Sequence, residues 1–160
     1  GLAIGDLLYR DQRYGEALAA YRELPEETFQ TAGSYAGLVG SLWQLGKADE
    51  AERLSKPWLE LAQKEGNAEQ EIWSRKILMY VADDREDFDT ALAHCRRIVE
   101  LDPDGNSALT LASLLRRKGD VAGARQQLEH IVESTTNPAL KSSARKALSQ
   151  LDSMATTVAP

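Results

Sequence analysis

Few of the reactive side chains in this chain stand at spacings that chemistry can use. The nearest approach to a phosphate-binding loop is the segment Gly40–Ala48. It has one residue too many between Gly40 and Gly46, and Ala48 where a hydroxyl must meet magnesium. His94 and His130 have no second ligand four residues on, so neither makes a helical zinc pair. They read as solvated helix histidines. Cys95 is the single cysteine, which excludes an internal disulfide and a thiol-clustered zinc site. Its place in an apolar stripe makes it an inert core thiol. The acidic run Asp83, Asp84, Glu86 and Asp87 lacks calcium-loop spacing. It suits the positive end of a following helix instead. No catalytic residue, cofactor or metal is expected from these patterns.

The charge balance narrows the partners. A net charge of −6 argues against general attraction to nucleic acid or anionic lipid. The acidity is uneven: residues 1–103 carry 12 basic and 20 acidic side chains, and residues 104–160 carry 7 and 5. No apolar run reaches the roughly 18 residues that a membrane-crossing helix needs. Direct membrane insertion is therefore not expected, and no signal-peptide pattern is visible. The expected protein is soluble, cytoplasmic or periplasmic.

The elements that must position any site are legible from a phrase written four times. It appears at Tyr14–Leu24, Ala48–Leu61, Asp87–Pro103 and Asp120–Ser134. Each copy has an alanine one turn into a helix, then a bulkier residue four on and another three after that. The alanines are Ala17, Ala51, Ala91 and Ala124, spaced by 34, 40 and 33 residues. A repeat of that length implies stacked helical units rather than one closed core. Alternating strand patterns are absent and helical spacing is everywhere. Ala108, Leu111, Ala112 and Leu115 form one stripe, capped by Asn106 or Ser107 at the start and turned by Gly119 at the end. Val121, Ala124, Leu128, Ile131 and Val132 form the next. Asn137 and Pro138 restart the chain as cap and first helical residue.

These residues resemble the tetratricopeptide repeat, an antiparallel helix pair of 34 residues, over roughly residues 1–135. The resemblance implies an all-α, right-handed α-solenoid of about four antiparallel helix pairs plus a C-terminal capping helix. The repeats would cover about residues 1–28, 31–65, 68–103 and 106–136, with the capping helix at 138–152 and a flexible tail at 153–160. Departures are local. Val39 and Met79 replace small residues, Ser55 replaces a bulky one, and Pro57 lies inside a helix that it should kink. Six extra residues between Ala51 and Ala91 should lengthen the helices around Gly66 and Asn67. The pattern is already under way at Gly1, leaving only Leu2–Arg10 of the first helix, so an excerpt of a longer array is expected. Leu2, Ile4 and Leu7 would then lack a covering neighbour.

In the family, first helices line a concave groove. By position, the resemblance assigns to it Asp6, Tyr9, Gly40, Trp43, Trp73, Lys76, Tyr80, Asp83, Asn106, Leu109, Ser113 and Arg116. Aromatics are favoured where partners bind, because they bury much area at small entropy loss. Gly33, Gly37 and Gly40 strip one helix face, leaving space for a ligand backbone or a neighbouring helix. The lysine, asparagine and arginine clamp that some members use for terminal carboxylates has no counterpart at the matching places. The expected function is a non-enzymatic scaffold binding a protein or peptide segment. The alternatives are a module guiding a polysaccharide or other polymer in a bacterial envelope assembly, and a self-associating repeat element.

Overall fold

A computed structural model describes residues 1–157, which contain nine α-helices and no strand. They are α1 (Leu2–Arg10), α2 (Tyr14–Arg22), α3 (Ala32–Gln44), α4 (Ala48–Lys64), α5 (Ala68–Asp84), α6 (Phe88–Leu101), α7 (Ser107–Lys118), α8 (Val121–Ser134) and α9 (Pro138–Thr157). A single 3-10 turn at Glu26–Thr28 links α2 to α3. α4 and α5 have 17 residues each against 13 in α3, which accounts for the long spacing between the second and third alanines. α4 continues through Pro57. α9 runs on to Thr157, and the remainder of the expected tail, residues 158–160, lies outside the described residues.

Five turns between helices use one device. A residue with positive φ follows the helix, and the next N–H reaches back five residues to close it. Gly46 (φ 71°), Gly66 (φ 64°) and Gly119 (φ 100°) supply that conformation without steric penalty. At the other two turns Gln12 (φ 60°) and Glu86 (φ 58°) take it although they carry side chains. The closing bonds run from Arg13 N–H to Leu8 O and from Asp87 N–H to Ala82 O, both 2.9 Å. The following helix then begins at once. Asp87 accepts from Thr90 N–H at 3.2 Å and Asp120 from Gly123 N–H at 2.8 Å, so both carboxylates cap α6 and α8. Asn137 caps α9 through Ala139 and Leu140 N–H, at 3.1 and 3.3 Å. Asn106 precedes α7 but gives it no side-chain cap.

The chain divides into two compact units, residues 1–81 and 82–160. In the first, Ala17, Leu18, Tyr21, Val39, Leu42, Ala51, Trp58, Ala62, Ile77 and Val81 form the core. Tyr21 is fully buried, and its hydroxyl donates to Asp6 Oδ1 at 2.6 Å. Burial first, and the adjacent carboxylate second, push its pKa far up. The ring lies where a Cβ on Gly5 or Gly37 would be, 2.5 Å from Tyr21 Cε1 and 1.8 Å from Tyr21 Oη respectively. Gly37 therefore makes room for a tyrosine from the neighbouring helix. Gly33 has open space beside it. Leu2 is half-buried, whereas Ile4 and Leu7 are exposed on α1.

In the second unit, Ala108, Ala112, Leu128, Ile131, Leu140, Ala144 and Leu151 form the core between α7, α8 and α9. Cys95 is wholly buried, with Sγ 3.4 Å from Ser107 O, and burial pushes its thiol up to about 12. Asp104 secures the α8–α9 turn. It accepts from Thr135 Oγ1 at 2.5 Å, Thr136 Oγ1 at 3.0 Å and Thr136 N–H at 3.3 Å. Arg125 joins α8 to Asp152 of α9 at 2.7 Å.

The four repeated alanines, Ala17, Ala51, Ala91 and Ala124, are buried in the helix contacts of their own units.

Candidate functional site

Each unit holds a hollow. In the first, α1, α3, α4 and α5 surround about 470 Å³, lined by Tyr9, Ala36, Gly40, Trp43, Gln44, Trp58, Glu69, Gln70, Trp73, Lys76, Ile77 and Tyr80. Its walls are aromatic because two helical stripes face one another. α3 contributes Ala36, Gly40 and Trp43 at spacings of four and three. α5 contributes Glu69, Trp73, Lys76 and Tyr80 at spacings of four, three and four, one face of one helix.

The contacts among these side chains set what the hollow can do. Trp43 and Tyr80 stack with ring centroids 5.9 Å apart and planes 20° from parallel. Trp73 is 50% exposed, and Lys76 Nζ lies 4.7 Å from its ring centroid. Trp58 forms the floor at 3% exposure, its indole N–H held by Gln70 Oε1 at 3.1 Å. Tyr9 fills the notch at Gly40, where a Cβ would stand 2.6 Å from the Tyr9 hydroxyl. Tyr9 also packs against Tyr14 at 5.6 Å, and burial raises its pKa, with Tyr14 adding a smaller push. All three tryptophans of the chain line this one hollow. The arrangement offers flat apolar faces rimmed by amides and one carboxylate. It suits adsorption of a chain-like ligand.

The second unit has a hollow of about 320 Å³ between α7, α8 and α9. Leu109, Ser113 and Arg116 line it from α7, and Ser143, Ala147, Gln150, Leu151 and Met154 from α9. Ala112, Ala124 and Leu128 form its apolar base.

The residues expected from the sequence thus separate into three groups. Tyr9, Gly40, Trp43, Trp73, Lys76 and Tyr80 come together in the first unit, and Leu109, Ser113 and Arg116 in the second. Asp6, Asp83 and Asn106 line neither hollow. Asp6 is engaged by the buried Tyr21 hydroxyl. Asp83 is paired with Arg117 at 2.6 Å, and that guanidinium also lies over Phe88 at 5.2 Å. Asn106 sits at the start of α7, where its carbonyl accepts from Leu109 and Thr110 N–H. Sequence reasoning missed Trp58, Glu69 and Gln70 in the first unit and the whole α9 wall in the second. The Glu69–Trp73–Lys76–Tyr80 face was detectable from spacing. The α9 wall required knowing which helix packs on α8.

No family model matches the sequence, and no curated protein matches it. Solved structures do. The nearly identical TPR-like repeats of a kinesin-light-chain-like protein from Podosopora anserina superpose with a TM-score of 0.70 at 15% identity, covering 98% of this chain and 86% of that one. The C-terminal part of a TPR repeat-containing protein from Cytophaga hutchinsonii gives 0.69 at 20% identity, over 96% of this chain and 61% of that one. The chain has the tetratricopeptide-repeat fold. MamA of MSR-1 is similar to this chain too, with a TM-score of 0.64 at 15% identity over 98% of this chain and 95% of that one. Among the described residues, no helix is long and apolar enough to cross a membrane.

Proposed function

We propose that the chain is a non-enzymatic protein-interaction scaffold that captures a segment of another protein on the aromatic hollow of its first unit. The observation that carries this reading is the half-exposed Trp73 beside the Trp43–Tyr80 stack, in a hollow with a fixed floor. Exposed aromatics on rigid elements bind with little side-chain entropy loss. Gln44 and Gln70 at the rim supply donors and acceptors for a peptide backbone. Lys76, Tyr80 and Tyr9 then frame the bound segment.

The test is a Trp43→Ala, Tyr80→Ala double substitution, assayed by affinity capture from a proteome with the captured proteins identified. The variant should keep its helical signal and lose its specific partner. Undiminished capture would rule the hollow out. A second reading, guidance of a polysaccharide, is favoured by the open face of Trp73 next to Glu69 and Gln70, since sugar rings stack on tryptophan and hydrogen-bond to carboxylates and amides. Saturable quenching of tryptophan fluorescence by an oligosaccharide, with no protein captured, would support that reading instead. Self-association rests on the exposed Ile4 and Leu7 of α1, and a concentration-dependent mass in light scattering would support it.

A further inference from the structure

We propose that a second hollow of the first unit, between α2, α3, α4 and the connection from α2 to α3, binds a small zwitterion with an apolar body: a free apolar amino acid. That connection, residues 23–31, is the longest between helices among the described residues, and it contains Pro25 and the 3-10 turn. It sets Phe29 against Tyr35 of α3, with ring centroids 5.5 Å apart and planes at 50°. This pair and Leu54 of α4, all half-buried, wall a space of about 470 Å³. Leu18, Leu38 and Leu42 are buried and make its floor. The volume lies within the roughly 300–1,000 Å³ of small-ligand sites. No residue of its lining belongs to the aromatic hollow.

The charges at the rim select the ligand. Four charged side chains line the space: Arg22, Glu26, Glu50 and Arg53. Two of them neutralise each other, since Arg22 of α2 pairs with Glu50 of α4 at 2.7 Å. Lys47 gives Glu50 a second cation at 3.8 Å. The Glu50 carboxyl is held below the usual carboxylate range, first by the hydrogen bond from Arg22, with Lys47 and Arg53 adding their fields. Glu50 is therefore already satisfied. Arg53 and Glu26 make no side-chain hydrogen bond or ion pair among the described residues, and both are exposed. The hollow thus has one uncommitted cation on α4, one uncommitted anion on the connection, and an apolar floor. A fatty or aromatic acid would answer only the cation, and an amine only the anion. An amino acid answers both: its carboxylate takes a bidentate pairing from Arg53, and its ammonium donates to Glu26. Its side chain meets the leucines, where apolar area leaves water. An internal peptide segment carries neither charge on its backbone.

The probe is L-phenylalanine, titrated into the full chain and followed by saturation-transfer NMR. It should bind saturably. 3-Phenylpropionate lacks the ammonium and phenethylamine lacks the carboxylate. Each should bind about fivefold more weakly, the factor that one exposed ion pair commands. N-acetyl-L-phenylalaninamide lacks both charges and should bind more weakly still. Arg53→Gln should weaken L-phenylalanine by a similar factor and leave phenethylamine unchanged. Glu26→Gln should weaken L-phenylalanine and leave 3-phenylpropionate unchanged. Both side chains are exposed, so the thermal unfolding curves should not move. Trp73→Ala, in the other hollow, should leave this affinity alone. That separates the site from the aromatic one, which stands or falls independently. No saturable binding of L-phenylalanine, equal affinity for the four compounds, full affinity in either charge variant, or loss of binding in Trp73→Ala would overturn the proposal.

Discussion

Substituting Gly37 by alanine should destabilise the protein, although alanine is the better helix former. Gly37 lies in the interior of α3, where alanine ordinarily gains roughly 0.5–1 kcal/mol over glycine. Here the new Cβ would stand 1.8 Å from Tyr21 Oη, 2.7 Å from Tyr21 Cζ and 3.0 Å from Asp6 Oδ1. Tyr21 cannot move aside, because Gly5 on the other side already admits the ring at 2.5 Å from its own Cβ position. Overpacking of this kind costs about 1–3 kcal/mol. Displacing the hydroxyl also breaks its bond to Asp6, a hydrogen bond to a charged group worth about 1.5–3 kcal/mol. After subtracting the helix gain, the net loss is about 1.5–5.5 kcal/mol, or a fall in Tm of roughly 3–20 °C for a chain of this size. Gly33→Ala, in the first turn of the same helix with nothing within 4 Å, is the matched control and should be neutral or stabilising by up to about 1 kcal/mol. Adding Tyr21→Phe to Gly37→Ala removes the closest clash. The pair should therefore lose less than the sum of the singles, by a coupling of about 0.5–3 kcal/mol. Urea unfolding followed by circular dichroism reads these differences, and amide exchange in α1–α3 localises them. If Gly37→Ala stabilises to the same degree as Gly33→Ala, the reasoning about the tyrosine slot is wrong.

Two further outcomes follow from single buried or turn-forming side chains. Ser55→Ala should be neutral or stabilise by up to about 1 kcal/mol in the same urea experiment, because the Ser55 hydroxyl is fully buried without a hydrogen-bond partner and its removal leaves no donor stranded. The Asp104 carboxyl is held below the usual range, first by the Thr135 hydroxyl and then by that of Thr136. A carboxylate with a depressed folded pKa contributes stability above its unfolded pKa of about 3.9 and loses it as pH falls through the lower folded value. The protection factors of the Ala139 and Leu140 amides, taken against their intrinsic rates at each pH, should fall below about pH 4 in the parent, whereas Asp104→Asn should show low protection already at neutral pH with no added acid dependence from this position.

The repeated phrase made most of the fold legible. Helical periodicity, the alanine spacing and the glycines at 46 and 119 place the helices, and the predicted Leu2–Arg10 is α1 as observed. The turns at Gln12 and Glu86 were harder to see, because residues that rarely adopt positive φ supply it there. The lining of the first hollow was legible where a periodic face alone decides it, as with Trp73 and Tyr80 on α5. They were misread where a side chain from another helix intervenes. Asp6 occupies a groove position by count, yet the Tyr21 hydroxyl reaches it from α2. Gly37 and Gly40 offered room for a ligand backbone or a neighbouring helix, and Tyr21 and Tyr9 from neighbouring helices fill it. Register along one helix cannot reveal what a neighbour inserts.

Inserted side chains of the same kind order the walls of the aromatic hollow. Tyr9 is wedged against Gly40, and Trp58 is fixed in the core with its indole N–H on Gln70. Trp43 is stacked on Tyr80. Trp73 stands half exposed, with the amine of Lys76 over its face. A ligand that displaces Lys76 meets a surface already ordered by buried contacts, so less of the binding free energy is lost to immobilising side chains. Gly40 thus leaves no empty space: it lets Tyr9 lie against α3 in the wall of the hollow.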